Sequence, residues 1–170
     1  MDPVLLSRTR AAYALAAVFL SAGCLLTGCA MPADPKGTLG NITGGTLRVG
    51  ATESVSKSGD WVRLAPGSDP AGIEPDLVRS FAASRGAAVD WRRGSEQDLV
   101  SDLKHGDLDL VVGGFADDTP WSKDAGLTRP FAESTDERGK TVKHVMLVPH
   151  GENAFLLELD RHLLAQEVTP

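Results

Sequence analysis

The segment from Gly113 to Trp121 carries the residue types in this chain that are best suited to bind a small molecule. Two glycines begin the segment, the carboxylates of Asp117 and Asp118 follow, and an indole ring ends it. Carboxylates attract an ammonium group, and an indole can stack on a cation or on another ring. Thr119 could begin a short helix whose amino end attracts anions, but the two aspartates outweigh that partial charge. The segment therefore favours an ammonium or a neutral solute over a carboxylate.

These residues also have a purely structural interpretation, which the sequence leaves open. Asp117 and Asp118 could solvate a turn. The indoles of Trp121 and of Trp61, in an earlier loop, could pack against helices instead of a solute.

The chain lacks the patterns that nucleophilic or metal chemistry needs. No serine lies in a G-x-S-x-G turn, and neither Cys24 nor Cys29 has a partner that would make it a catalytic thiol. The histidines form no i, i+4 pair on one helix; they are His105, His144, His150 and His162. We therefore predict a protein without a metal, a cofactor or catalytic activity.

A helix and a buried strand must position the segment. Ser95 is a good N-cap with Asp98 three residues later, and the helix that it begins should end before Gly106. The apolar run from Leu108 to Val112 then predicts a strand covered on both faces. A helix that leads into such a strand indicates a parallel sheet, in which ligands bind beyond the carboxyl ends of the strands.

The rest of the chain continues this alternation of strands and helices. Strands are predicted at 46–51, 88–92 and 143–148, and helices from Pro75 to Arg85 and at 153–165. A long loop, 52–72, follows the first strand, and the polar stretch 132–140 is predicted to be a surface connection.

The amino-terminal 28 residues form a basic and then apolar segment that is typical of a secretory signal. Its end, Leu26-Thr27-Gly28-Cys29, resembles the lipobox of bacterial lipoproteins, which implies cleavage before Cys29 and a lipid on its thiol. An ordinary signal peptide or an anchor helix with a chance cysteine is the alternative. Residues 29–45, rich in glycine, proline and small polar residues, are predicted to be a flexible tether.

The charge balance excludes some partners. Cleavage after residue 28 removes two arginines and one aspartate from a chain of net charge −6, which leaves −7. This acidic balance argues against nucleic acid and against attachment to anionic headgroups by charge alone. The membrane link is instead expected to be the covalent lipid.

Four stretches in order resemble the first lobe of the type 2 periplasmic solute-binding proteins. They are 46–53 (TLRVGATE), 72–77 (GIEPDL), 105–114 (HGDLDLVVGG) and 127–134 (LTRPFAES). The tail from His144 to Leu157 is similar to the strand and helix by which the chain returns to that lobe. Proteins of this family serve mostly as receptors of ABC importers. The resemblance therefore implies an ABC permease as a partner.

The resemblance implies positions that face the ligand. Outside the Gly113 to Trp121 segment these are Thr52, Glu53, Trp61 and Glu74; within it they are Gly114, Phe115 and Ala116. Amino-acid receptors of the family carry an arginine a few residues further on, where this chain has Trp121 or Ser122. Glu53 and Glu74 could equally be ordinary surface carboxylates.

The second lobe of the family is absent from the matched region. Between Phe131 and Val145 there are 13 residues, whereas an independent domain needs about 50. We therefore expect one α/β lobe at 46–170, with three layers, a mostly parallel sheet and one antiparallel strand from the returning tail. Half a cleft would bind a small polar or cationic solute weakly.

Other functions remain open at this point. The exposed former cleft could dock a protein partner or another copy of the chain, as an accessory module of the cell envelope. The chain could also be the truncated remnant of a receptor.

Overall fold

A computed structural model describes residues 32–54 and 60–168 of the chain. The predicted signal peptide and Cys29 lie outside the described residues. In chain order the elements are α1 (Thr38–Ile42), β1 (Thr46–Ala51), α2 (Ile73–Ser84), β2 (Ala88–Arg93), α3 (Glu96–His105), β3 (Leu110–Ala116), a 3-10 helix (Pro120–Lys123), β4 (Gly126–Leu127), β5 (Ala132–Thr135), β6 (Thr141–Val148) and α4 (Asn153–Leu164).

The strands form one sheet with the order β2-β1-β3-β6-β4, and β5 also pairs with β6. β1 is parallel to both β2 and β3, and Val49 is opposite Leu110 in the register. β6 is antiparallel to β3, β4 and β5, so it is the one strand of the sheet that runs against the others. The predicted α/β class and the parallel pairing of the first and third strands are confirmed.

Helices cover both faces of the sheet because its strands alternate their buried side chains. Leu110 and Val112 face the core cluster that α2 and α4 cover, whereas Val111 faces the cluster under α3. β6 divides its apolar residues in the same way, with Met146 on the first face and Leu147 on the second. The predicted three-layer arrangement follows from this alternation.

The limits of α3 agree with the sequence prediction. The hydroxyl of Ser95 accepts a hydrogen bond of 3.2 Å from the backbone N–H of Asp98. At the other end Gly106 adopts a left-handed conformation with φ of 87°, which glycine adopts readily. Because α3 connects β2 to β3 and both strands are parallel to β1, it runs from the carboxyl ends of the parallel strands back to their amino ends.

The polar stretch 132–140 differs from the prediction. Its first part is strand β5, which forms a hairpin with β6 within the main sheet. The carboxylate of Asp136 accepts hydrogen bonds of 2.8 Å from the N–H groups of Arg138 and Lys140, which closes the turn. These side chain to backbone bonds explain why a polar sequence forms a hairpin rather than an irregular connection.

The predicted tether is also wrong for residues 34–42, which pack on the lobe. The carboxylate of Asp34 accepts hydrogen bonds from the N–H groups of Ala154 (2.7 Å) and Phe155 (3.0 Å) in the first turn of α4. The carboxylate of Glu152 accepts bonds from the N–H groups of Lys36 (2.9 Å) and Thr38 (3.0 Å). These bonds fix the segment against the lobe.

In the part of the chain that is described, no helix has the length and apolar character needed to cross a membrane.

Candidate functional site

The candidate site lies at the carboxyl ends of β1 and β3, the edge at which ligands bind in open parallel sheets. The backbone N–H of Thr52 donates a hydrogen bond of 3.0 Å to the carbonyl oxygen of Val112. This bond places Thr52 and Glu53 beside the pair Gly113-Gly114. Thr52 is half-buried, whereas Glu53 is exposed.

The two glycines at the end of β3 are required by the packing around them. Gly114 has a φ of 70°, and a Cβ there would lie 2.9 Å from the Cβ of Ser54. A Cβ on Gly113 would lie 2.3 Å from the Cγ2 of Thr52. Glycine alone lets the end of β1 approach the end of β3 this closely.

Glu74 holds this glycine pair from inside the lobe. Its side chain is fully buried, and its Oε2 accepts hydrogen bonds from the N–H groups of Gly113 (2.9 Å) and Gly114 (3.0 Å). Burial raises the pKa of the Glu74 carboxyl to about 7, although the two hydrogen bonds act in the opposite direction. The expectation that Glu74 faces a ligand is corrected: it positions the backbone of the site from below.

Trp61 is likewise buried and not exposed to a solute. Its ring stacks on His144 with 3.6 Å between centroids, and it contacts the ring of Phe131 edge-on at 6.2 Å. Both partners belong to the lobe, so the structure corrects the predicted ligand contact in favour of packing. Burial also lowers the pKa of His144 to about 4.

An open cleft of about 350 Å³ lies over the glycine pair. Its walls come from the end of β3, the loop that follows, the start of α3 and β6; the lining residues are Glu96, Gly113, Gly114, Phe115, Ala116, Asp118, Thr119, Pro120 and Val142. Phe115 is 5% exposed and its side chain belongs to the core cluster under α3. The predicted role of its ring is corrected, because Phe115 contributes mainly backbone to the cleft.

The rim of the cleft is acidic. Asp117 and Asp118 are both exposed, and the Oδ2 of Asp118 accepts a hydrogen bond of 3.1 Å from the Nζ of Lys140. The indole N–H of Trp121 donates to the carboxylate of Glu96 at 2.7 Å. Trp121 is half-buried against the core cluster under α3, so only part of its ring remains available at the rim.

The structure thus brings together most of the predicted positions and adds three. Thr52, Gly114, Ala116 and Asp117 lie at one edge of the sheet, near Trp121. Sequence reasoning missed Glu96, Lys140 and Val142. Glu96 could have been found, because it begins a crossover helix and therefore lies at the carboxyl edge of the sheet. Lys140 belongs to the stretch 132–140 that was predicted to be a surface connection, and Val142 lies just before the strand predicted at 143–148.

The residues that the structure describes contain no group of three or more His, Cys, Asp or Glu side chains arranged to hold a metal ion.

The lobe has the fold of the periplasmic amino-acid-binding proteins. The arginine-bound form of domain 1 from TmArgBP, the arginine-binding protein of T. maritima, superposes with a TM-score of 0.56 at 16% identity, over 69% of this chain and 90% of that one. An ancestral cationic amino acid solute-binding protein gives a TM-score of 0.61 at 14% identity, over 74% of this chain and 92% of that one.

One particular relative is similar in sequence. The probable ABC transporter arginine-binding protein ArtJ of Chlamydia trachomatis is 29% identical over 146 residues, which are 85% of this chain and 51% of ArtJ. The chain therefore spans about half the length of this curated relative. No family model matches the sequence.

Proposed function

We propose that the chain is an extracytoplasmic, lipid-anchored solute-binding protein that holds a small cationic solute of the amino-acid type with low affinity. The observation that carries the proposal is the acidic cleft at the carboxyl ends of β1 and β3. Glu53, Glu96, Asp117 and Asp118 lie in or beside it. Carboxylates around an open site attract cations and raise their local concentration.

The two glycines form the floor of the cleft. At Gly113 and Gly114 a side chain would fill the space between β1 and β3, and Glu74 fixes both N–H groups inside the lobe. The solute then meets a rigid floor and an acidic rim. Rigid, pre-organised sites lose less free energy on binding than mobile ones.

The relatives support the choice of solute. ArtJ is named as a probable arginine-binding protein, and the TmArgBP structure is the arginine-bound form of a single domain. A single domain with arginine bound is a precedent for binding by one lobe. By analogy with ArtJ, the partner in the cell would be an ABC permease.

A thermal-shift screen tests the proposal. Arginine, lysine and agmatine at 10 mM should each raise the melting temperature at pH 7, whereas glutamate should not. The double substitution Asp117→Asn and Asp118→Asn should remove most of the rise. Asp107→Asn is the matched control, because Asp107 is an exposed aspartate before the amino end of β3. A rise that is equal for arginine and glutamate, or none for any cation, would contradict the proposal.

The docking of a protein on the former cleft is the other candidate, and one observation disfavours it. Leu164 on α4 is the exposed large hydrophobic residue of the described chain, at 50%, and it does not line the cleft. Stable interfaces usually have an apolar centre. Dimers that persist at micromolar concentration without solute would favour this alternative.

A further inference from the structure

We propose that the end of the lobe opposite the cleft is a contact surface for an anionic phospholipid bilayer. Its residues are Lys36, Lys104, Lys123 and His150, called here the basic end. The inference rests on the lipid anchor at Cys29 that belongs to the proposed function. It goes further because it states which side of the anchored lobe meets the headgroups.

The basic end is a hollow of about 230 Å³ with an excess of positive charge. Three lysines and one histidine line it; the other lining residues are Leu103, Asp124 and Pro149. Asp124 is the one carboxylate among these residues, and its Oδ1 lies 2.8 Å from the Nζ of Lys104. With three lysines and one carboxylate, the lining of the hollow has more positive than negative side chains.

Lys36 is held over the end of α3. Its Nζ donates a hydrogen bond of 3.4 Å to the carbonyl oxygen of Lys104, in the last turn of the helix. The carbonyl groups at a helix carboxyl end attract cations, so this position suits an ammonium group. The side chain nevertheless remains exposed, which leaves its charge available to a surface.

The basic end and the cleft are at opposite ends of the sheet. Val111 pairs with Leu147, so Pro149 and His150 follow β6 at the amino end of β3, whereas the cleft is at the carboxyl end of β3. A strand of seven residues spans about 20 Å. The hollow with three lysines and one carboxylate therefore lies at one end of the sheet, and Asp117 and Asp118 lie at the other, beside Lys140 and Lys143.

The attachment of residues 34–42 to the lobe determines which end lies near the lipid. Asp34 and Lys36 are held by hydrogen bonds to α4 and Glu152. Cys29 is five residues before Asp34, a distance that a chain can span over at most about 18 Å. A lipid on Cys29 would therefore keep the basic end close to the headgroups.

At that distance from the headgroups, the sign of the charge on each end of the lobe affects how the lobe is oriented. The surface potential of anionic lipids extends over a Debye length of about 8 to 10 Å and attracts nearby lysines. The same potential repels the exposed carboxylates of Asp117 and Asp118 at the rim of the cleft. Both effects turn the cleft away from the bilayer and toward the solute.

Lysine labelling of the anchored protein tests this orientation. The full-length protein, matured as a lipoprotein, is added to preformed vesicles of phosphatidylcholine, with or without 30% phosphatidylglycerol. It is then acetylated with a water-soluble ester and analysed by mass spectrometry. Lys36, Lys104 and Lys123 report on the basic end. Lys140 and Lys143 are matched controls, because both line a hollow next to the cleft.

The expected result is a labelling of the three basic-end lysines that is at least threefold lower on the anionic vesicles. The difference should disappear in 0.5 M salt, and the two control lysines should not change. Equal labelling of both sets on both kinds of vesicle would overturn the inference while the anchor stands. Protein that does not float with the vesicles would overturn the anchor, and the inference with it.

Discussion

The carboxylate of Glu74, in the first turn of α2, accepts a hydrogen bond of 3.0 Å from the backbone N–H of Gly114 at the end of β3. The bond connects a helix to the floor of the candidate site across 40 positions of the chain. A fully buried carboxylate with this task should influence both the stability of the lobe and its dependence on pH.

The first prediction concerns that pH dependence. The pKa of Glu74 is raised from 4.5 to about 7 in the folded state, so the folded lobe favours the protonated carboxyl. The stabilisation from this group is complete below pH 4.5 and is lost as the pH rises through about 7. The loss amounts to roughly 3 kcal/mol.

Urea unfolding of the wild type and of Glu74→Gln between pH 4.5 and 8 measures the effect. The glutamine does not titrate and can still accept both backbone hydrogen bonds. As the pH rises, the free energy of unfolding of the variant should therefore increase relative to that of the wild type. Parallel profiles would mean that Glu74 titrates normally.

The second prediction concerns His144, whose burial lowers its pKa from 6.5 to about 4. The folded lobe favours the neutral ring, so the stabilisation from this group is complete above pH 6.5 and is lost as the pH falls through about 4. An NMR titration of the imidazole resonances should give a midpoint well below 6. His150, which is exposed, serves as an internal comparison. A midpoint near 6.5 for His144 would contradict the stacked, buried position against Trp61.

The third prediction separates steric from conformational effects at a glycine. Gly114 and Gly67 both have a φ near 70°, but a Cβ on Gly67 would have no neighbour within 4 Å. Gly67→Ala should therefore cost about 1 kcal/mol for the left-handed conformation alone. Gly114→Ala should cost about 1 to 3 kcal/mol more, because the new Cβ meets Ser54 and Trp61. Equal losses in denaturant unfolding would contradict the close approach of β1 and β3.

The fourth prediction tests whether residues 34–42 belong to the lobe. Asp34→Ala should lower the free energy of unfolding by about 1 kcal/mol, because it removes the cap from α4. Asp69→Ala, at an exposed aspartate, should change it by less than about 0.5 kcal/mol. Equal free energies of unfolding for the two variants would indicate that residues 34–42 are a flexible tether.

The parts of the fold that could be predicted are those with local signals. Ser95 and Gly106 mark the ends of α3 because a cap and a left-handed glycine act within one turn of helix. The run 108–112 marks a central strand because both of its faces are buried. Together they place the loop after β3 correctly at the carboxyl edge of the sheet.

The parts that were missed depend on partners far along the chain. Glu74 looks like a surface carboxylate until the N–H groups of Gly113 and Gly114 are placed beside it. Trp61 lies in a long polar loop, and nothing local predicts that it stacks on His144. The amino-terminal segment is held by Glu152, more than 100 residues away. The sequence around each of these residues does not indicate such contacts, because they form only in the folded state.

The most direct test of the account is an NMR titration of the labelled lobe with arginine at pH 7, because chemical shifts report weak binding residue by residue. We predict saturable shifts with a Kd of about millimolar, confined to Thr52, Glu53, the 113–118 segment and Trp121. The residues of the basic end should not move. Shifts that are absent, or that occur mainly at the basic end, would contradict the claim that the acidic cleft binds the solute.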